Sequence, residues 1–384
     1  MQESRTLFED NFPSISREQY SEAAILAKKL RAIISKRDAG SNNNFTDPNY
    51  IWEPIKVMSY CFDPTYEVVN TWRLHTYLFP GNSLLPYICA YHNAIPKTLV
   101  KKYQRKVAWV PDEYIFRPPR IMAECGWEIN GGIVNDETLM YQKHVSTLYF
   151  EGVIEKLRSI KNPKILEIGG GYGGLAYFLK KLVPHARYYM VDLAESLIFS
   201  SIYLQIASPG AVDPETAIYD GANKDVLNPA GNHFTFIPNF LVRDPIGKTG
   251  FDLVINTGSF GEMKKEQVQE YADVISKLLA PTGFLYEENH DKIYDDLSYL
   301  KKGTSSLSSV NDILAAKFSL FAANGRRKLW YGNEAAVQAI MPFKNIVKEK
   351  DRKAYSHWTF EQNISRIVQR LPKVKATIKS FVGR

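Results

Sequence analysis

The chain has 384 residues, 45% hydrophobic and 23% charged, with a formal net charge of +7. Those proportions exclude a disordered or fibrous chain and provide apolar material for a large core. No run approaches the ~20 consecutive apolar residues of a membrane-spanning helix, and the opening "MQESRTLFED" lacks the apolar stretch of a secretory leader.

The three cysteines, Cys61, Cys89 and Cys125, are scattered and show no metal-ligand spacing. A reducing, cytoplasmic setting with structural thiols is therefore expected. The charge is unevenly placed. From Lys344 to Arg384 eleven Lys or Arg stand against three acids, so the rest of the chain is close to neutral. Such a tail is either a solvated helix face or an attractor of nucleic acid, anionic lipid or phosphate.

In chain order, residues 13–37 predict a helix, with Ala24, Ile25, Leu30 and Ile33 apolar among lysines and arginines. The turn formers from Asp38 to Asn49 end it. Residues 50–125 are rich in aromatics and broken by prolines, and Pro111 to Arg120 reads as an extended connector. A helical pattern returns from Asn135 to Lys161. Residues 1–160 are thus expected to form a helical, aromatic-rich, ligand-binding lid. Trp72, Tyr87 and Tyr91 are candidate stacking rings, and the segment Glu124 to Glu137, including Asn135, is a candidate contact region. His144 is expected in the core or on the surface.

From 161 to 350 the pattern changes. "KILEIG", "ARYYMVDL", "FTFIPNF", "FDLVINT" and "GFLYEEN" are short apolar runs, with helical stretches such as Lys265 to Leu279 between most of them. That alternation predicts an α/β, Rossmann-like, doubly wound and mainly parallel sheet. Arg327 to Gly332 and Asn345 to Lys350 are expected to close it as an antiparallel edge pair. Residues 351–384 form the basic tail.

The window "KILEIGGGYGGLAYFLKKL" carries the chemistry. Gly169, Gly170, Gly171 and Gly173 form a strand-to-helix turn that permits close backbone approach, and the helix from Gly174 aims free N–H groups at the same space. Gly169-x-Gly171-x-x-Gly174 also fits a dinucleotide fingerprint. Glu167 separates the two readings: a carboxylate repels a pyrophosphate and welcomes a cationic sulfonium. Asp192, ending the next strand, suits the ribose hydroxyls of either ligand. Leu193, Asn256 and Thr257 complete the expected cofactor contacts.

Taken together, "GGIVNDETLMYQ", "LEIGGGYGGLAYFLKKL", "YMVDLAESL", "FDLVINTGSFGEM" and "EENHD" resemble a bacterial family of sugar O-methyltransferases within the class I S-adenosylmethionine-dependent methyltransferases. The resemblance spans roughly Ile121 to Asp291. It implies S-adenosylmethionine as cofactor, S-adenosylhomocysteine as product, and as acceptor the hydroxyl of a small-molecule or glycan-linked sugar, either a nucleotide-linked sugar or a glycan intermediate.

Removing the proton of such a hydroxyl calls for a base at the strand ends. His290 is the first candidate, with Glu288 and Asp291 orienting it, and Glu262 is the second. Ser259 and Glu288 are expected to touch the acceptor. Glu262, Glu288, Asn289 and Asp291 have the oxygens a divalent cation takes. No aspartate follows Asn256 directly, however, so no metal is expected. The competing readings are an NAD-dependent oxidoreductase, a non-catalytic cofactor-binding scaffold and an RNA methyltransferase. "NTGS" after the fourth strand, in place of an Asn/Asp-Pro-Pro-aromatic turn, argues against amino-methylating DNA enzymes.

Overall fold

The computed structural model describes residues 12–40, 58–78, 97–228, 233–243, 250–290, 292–293, 308–347 and 351. The first helix, α1 (Arg17–Asp38), begins at Ser16, whose side chain accepts from Gln19 N at 3.0 Å while Gln19 returns the bond to Ser16 N at 2.8 Å. This reciprocal cap satisfies two donors that a helix start leaves open. Its apolar stripe, Leu26, Leu30 and Ile33, is buried. Three shorter helices follow: α2 (Tyr66–Asn70), α3 (Trp72–Leu78) and α4 (Lys97–Val107). A hairpin of β1 (Trp127–Ile129) and β2 (Gly132–Val134) leads into α5 (Asp136–Phe150) and α6 (Val153–Ser159).

The central sheet begins at β3 (Lys164–Ile168), followed by α7 (Gly174–Leu182), β4 (Arg187–Asp192), α8 (Ala194–Ala207) and β5 (Phe234–Pro238). Then come β6 (Phe251–Thr257), α9 (Lys265–Leu278) and β7 (Leu279–Glu288). A two-residue pair, β8 (Lys292–Ile293) and β9 (Ser308–Ser309), precedes α10 (Val310–Ala315). The chain continues through β10 (Ser319–Asn324), β11 (Arg327–Tyr331) and α11 (Glu334–Lys344).

Seven strands pair in the order β10-β11-β7-β6-β3-β4-β5. Strands β3 to β7 run parallel, and β11 and β10 are antiparallel to their neighbours. The interiors of β3, β4 and β5 are almost continuously buried, as a parallel sheet covered on both faces requires. Among the described residues no helix is long and apolar enough to cross a membrane.

The second edge strand is not the predicted one. It is Ser319–Asn324, joined to β11 through Gly325 at φ 65°. Asn345 instead follows α11 as its C-terminal cap, and residues 348–350 lie outside the described residues. "SLFAAN" is half exposed and alanine-rich, so it lacks the apolar, β-branched run that marks the inner strands.

The N-terminal helices do not stand apart from the sheet. Leu26 and Leu30 of α1 join Leu197 and Ile198 of α8 and Phe234 of β5 in one continuous apolar cluster. Trp72 is fully buried; its indole N–H donates to the Phe199 carbonyl at 3.1 Å and its ring lies 5.6 Å from that of Phe199. It is therefore a docking residue between α3 and α8 rather than an open stacking platform. Trp72→Ala should lower the unfolding free energy by about 3–5 kcal/mol, measured as a reduced urea midpoint.

Candidate functional site

The strand order reverses between β3 and β6, so a crevice opens at their carboxyl ends. Leaving β3, the chain turns through Gly169, at φ 76°, whose N–H donates to the Val191 carbonyl at 2.8 Å. A Cβ at Gly169 would stand 2.2 Å from Ser259 Oγ, and one at Gly170 2.4 Å from Met190 Cε. Only glycine lets the loop pass between the ends of β6 and β4. Gly171 N then donates to Asp192 Oδ2 at 3.1 Å, and Gly173 caps α7 in the left-handed conformation.

These turns enclose a cavity of about 300 Å³. Its walls carry the carboxylates of Glu137, Glu167, Asp192 and Glu262, and among the described residues no lysine, arginine or histidine lines it. Glu167 is 1% exposed and accepts from Tyr188 OH at 2.7 Å. Burial pushes its carboxyl up to about 7; Tyr188 pulls the other way and Asp192 adds to the rise. Asp192 is likewise pushed up to about 7 by burial, against the N–H groups of Leu193, at 2.8 Å, and Gly171.

Glu167, Gly169, Gly170, Gly171, Asp192, Leu193, Thr257, Ser259 and Glu262 all reach the cavity wall. The remaining predicted residues are placed elsewhere. Gly173 packs near Leu204 of α8. Asn256 is fully buried and brackets three strand ends. Its amide donates to the Ile168 carbonyl at 3.0 Å and to Ser259 Oγ at 2.6 Å, while its oxygen accepts from Asn289 at 3.0 Å. Asn135 is also fully buried; it caps α5, accepting from Thr138 N at 2.8 Å, and donates to the Cys125 carbonyl at 2.7 Å.

His290 is exposed, outside the cavity wall, and its Nε2 accepts from Arg326 Nη1 at 2.8 Å. Glu288 is ion-paired with Lys143, with His144 Nδ1 3.3 Å away. Burial opposes its ionisation, yet the cations Lys143 and Arg327 hold the Glu288 carboxyl below its ordinary range. His144 itself is a core residue beside Tyr286 OH at 2.9 Å, and burial holds its imidazole down to about 3, so it stays neutral. Tyr87, Tyr91, Asp291 and nearly all of the basic tail lie outside the described residues. Among the described residues, no group of three His, Cys, Asp or Glu is placed to hold a metal ion.

The motifs did not single out Thr76 of α3, which forms the lid-side wall with Glu137, Met140 and Tyr141 of α5. Nor did they reveal Asn239 after β5 or Tyr271 of α9. Glu137, Met140 and Tyr141 fall within "GGIVNDETLMYQ", and Glu137 also ends the candidate contact segment, but neither signal gave them a role.

No family model matches the chain, and no curated protein matches it in sequence. Solved structures are similar at low identity. The N-methyltransferase NodS from Bradyrhizobium japonicum WM9 is 16% identical over 52% of this chain and 100% of its own, with a TM-score of 0.32. A TehB-like SAM-dependent methyltransferase from Corynebacterium glutamicum is 14% identical over 50% of this chain and 97% of its own, with a TM-score of 0.29. An O-methyltransferase family protein from Burkholderia thailandensis is 14% identical over 52% of this chain and 60% of its own, at 0.31. None of these likenesses bears on the acceptor.

The raised Glu167 carboxyl has a consequence for stability. Its ordinary value is 4.5 and its folded value about 7, so the native state keeps a proton that the unfolded chain releases between those limits. The unliganded protein therefore loses stability as pH rises across that window, by up to about 3 kcal/mol, and the effect is flat above it. Glu167→Gln keeps an acceptor for Tyr188 and removes the loss. Urea denaturation should find the variant more stable than the parent at about pH 8, with the gain shrinking toward pH 4.5.

Proposed function

We propose that the chain is a cytoplasmic, S-adenosylmethionine-dependent O-methyltransferase acting on a sugar hydroxyl. The observation that carries this reading is the cavity at the switch point, walled by four carboxylates and, among the described residues, by no cationic side chain. A dinucleotide would place its pyrophosphate against the glycine loop, beside Glu167 and Asp192, where like charge repels it. A cofactor with a sulfonium and an ammonium meets the opposite field there. The fit extends to shape: Val191, Phe199 and Tyr271 supply apolar wall for a purine. Asp192 accepts the N–H groups of Gly171 and Leu193 and the Ser196 hydroxyl, which of its four lone pairs leaves one for a ribose hydroxyl.

When bound, S-adenosylmethionine supplies a methyl carbon activated by the sulfonium. The protein's own part is to bind, orient and keep water out. Glu167, fixed by Tyr188, presents negative charge to the positive end of the ligand. The glycine loop permits close approach, and Ser259, held by Asn256 at 2.6 Å, keeps the β6 rim in place. Glu262, on that rim, is the sequence-predicted base that lines the cavity; His290 does not.

The sugar hydroxyl as acceptor is supported by the motif resemblance and by hydroxyl-bearing walls at Thr76, Thr257 and Ser259. The acidic cavity disfavours an RNA acceptor, whose backbone phosphates flank the reacting ribose on both sides. Incubating nucleotide-sugar and glycan pools with isotope-labelled methyl donor, followed by mass spectrometry, should find a labelled sugar ether. Label in RNA alone would overturn the acceptor class.

Calorimetry should detect S-adenosylhomocysteine binding and none with NAD; the reverse preference would end this reading. Asp192→Ala should weaken S-adenosylhomocysteine by roughly 10- to 100-fold, the loss expected for hydrogen bonds to a charged group. Because Glu167 and Asp192 both take up protons near pH 7, affinity should fall as pH drops from 8 to 5.5.

A further inference from the structure

The lid-side wall holds a charge cluster that lies outside the cofactor motifs. Arg73 of α3 is fully buried. Its Nε donates to Glu124 Oε2 at 2.7 Å, its Nη2 to Glu137 Oε2 at 2.5 Å and its Nη1 to Thr76 Oγ1 at 2.5 Å. The guanidinium carbon lies 3.4 Å from the centroid of the Tyr172 ring, in the glycine loop. Two carboxylates thus share one cation, and the cluster carries one negative charge in a place poor in water.

Gaining one proton would make the cluster neutral, which a low-dielectric site favours. Of the two acids, only Glu137 lines the cavity. Burial pushes the Glu137 carboxyl up to about 7; Arg73 lowers it, and Glu124 and Asp136 raise it. The other titratable groups around it, Cys125, Tyr141 and Tyr172, are pushed up by burial and stay neutral. A base whose affinity for a proton matches the working pH is the efficient one.

We infer that Glu137 is the catalytic base of the transfer proposed above, placed there by Arg73. As the acceptor oxygen bonds to the methyl carbon, the carbon–sulfur bond breaks and leaves its electron pair on sulfur. The acceptor's proton passes to Glu137 and from there to solvent. The inference rests on the proposed methyl transfer, and its test keeps the two separable.

The probe is sinefungin, a cofactor analogue in which an amine-bearing carbon replaces the methylated sulfur and sets an ammonium where the methyl would be. Calorimetry should show the parent protein preferring sinefungin to S-adenosylhomocysteine at pH 8, with the preference shrinking as pH falls through 7. Glu137→Gln should lose roughly 10-fold in sinefungin affinity, about one charge-assisted hydrogen bond, and hold S-adenosylhomocysteine within about threefold. Equal weakening of both ligands would show a merely structural role and overturn the assignment. So would loss of the preference in Glu262→Gln with Glu137→Gln unaffected. If Glu137→Gln fails to fold, the pH series in Glu167→Gln decides, since that variant removes the other acid facing the positive end of the ligand: a preference constant between pH 6 and 8 overturns the inference. Binding of neither ligand by the parent protein would instead remove the cofactor reading itself.

Discussion

A carboxylate inside a sheet is a liability unless something positive comes to meet it. Glu167 sits in the central strand with one phenolic hydroxyl as its hydrogen-bond partner, and burying such a group disfavours its charged form. The surroundings do not relieve it. Asp192 stands close enough to raise its proton affinity further, and the described cavity wall adds two more acids and no base. On the proposed reading, a fold that keeps such a strained electrostatic centre at its switch point trades stability of the empty form for affinity toward a cation. The proposed cofactor, the acidic walls and the pH dependence all follow from that one arrangement.

Several residues that the sequence offers for chemistry also hold the frame together. Asn256 and Asn289 tie β6 to β7 and, through Ile168 and Ser259, to β3. Glu288 pins β7 to α5 through Lys143. Asn135 closes the start of α5 and fastens it to the segment before β1. Polar groups buried at strand and helix ends must find partners, and partners across different elements tie the walls of the crevice to one another. That rigidity is what a site depending on in-line geometry needs.

The N-terminal region is part of the site. Through Trp72 and the stripe of α1 it shares the apolar core beneath the sheet's flanking helices. Through Arg73, Thr76 and Glu137 it builds the wall that faces the glycine loop. The guanidinium stacked on Tyr172 couples the two halves directly: the loop that receives the cofactor and the helix that carries the proposed base rest on one buried cation.

The sequence by itself determined the parallel sheet, the glycine turn and its two acids, because these rest on local signals. Apolar runs, glycine spacing and a carboxylate at a strand end are legible within a dozen residues, and the parallel pairing of β3 to β7 follows from the alternation. Tertiary structure decided the rest. The edge strand β10 has too little apolar character to announce itself, whereas Asn345 to Val347 only looked like a strand and instead ends a helix. His290 carries suitable chemistry, but the turn after β7 directs it to Arg326, away from the cavity. Glu137 gains its place only because Arg73, 64 positions earlier, folds beneath it. Pairings across that distance are set by packing, and no periodicity in the chain encodes them.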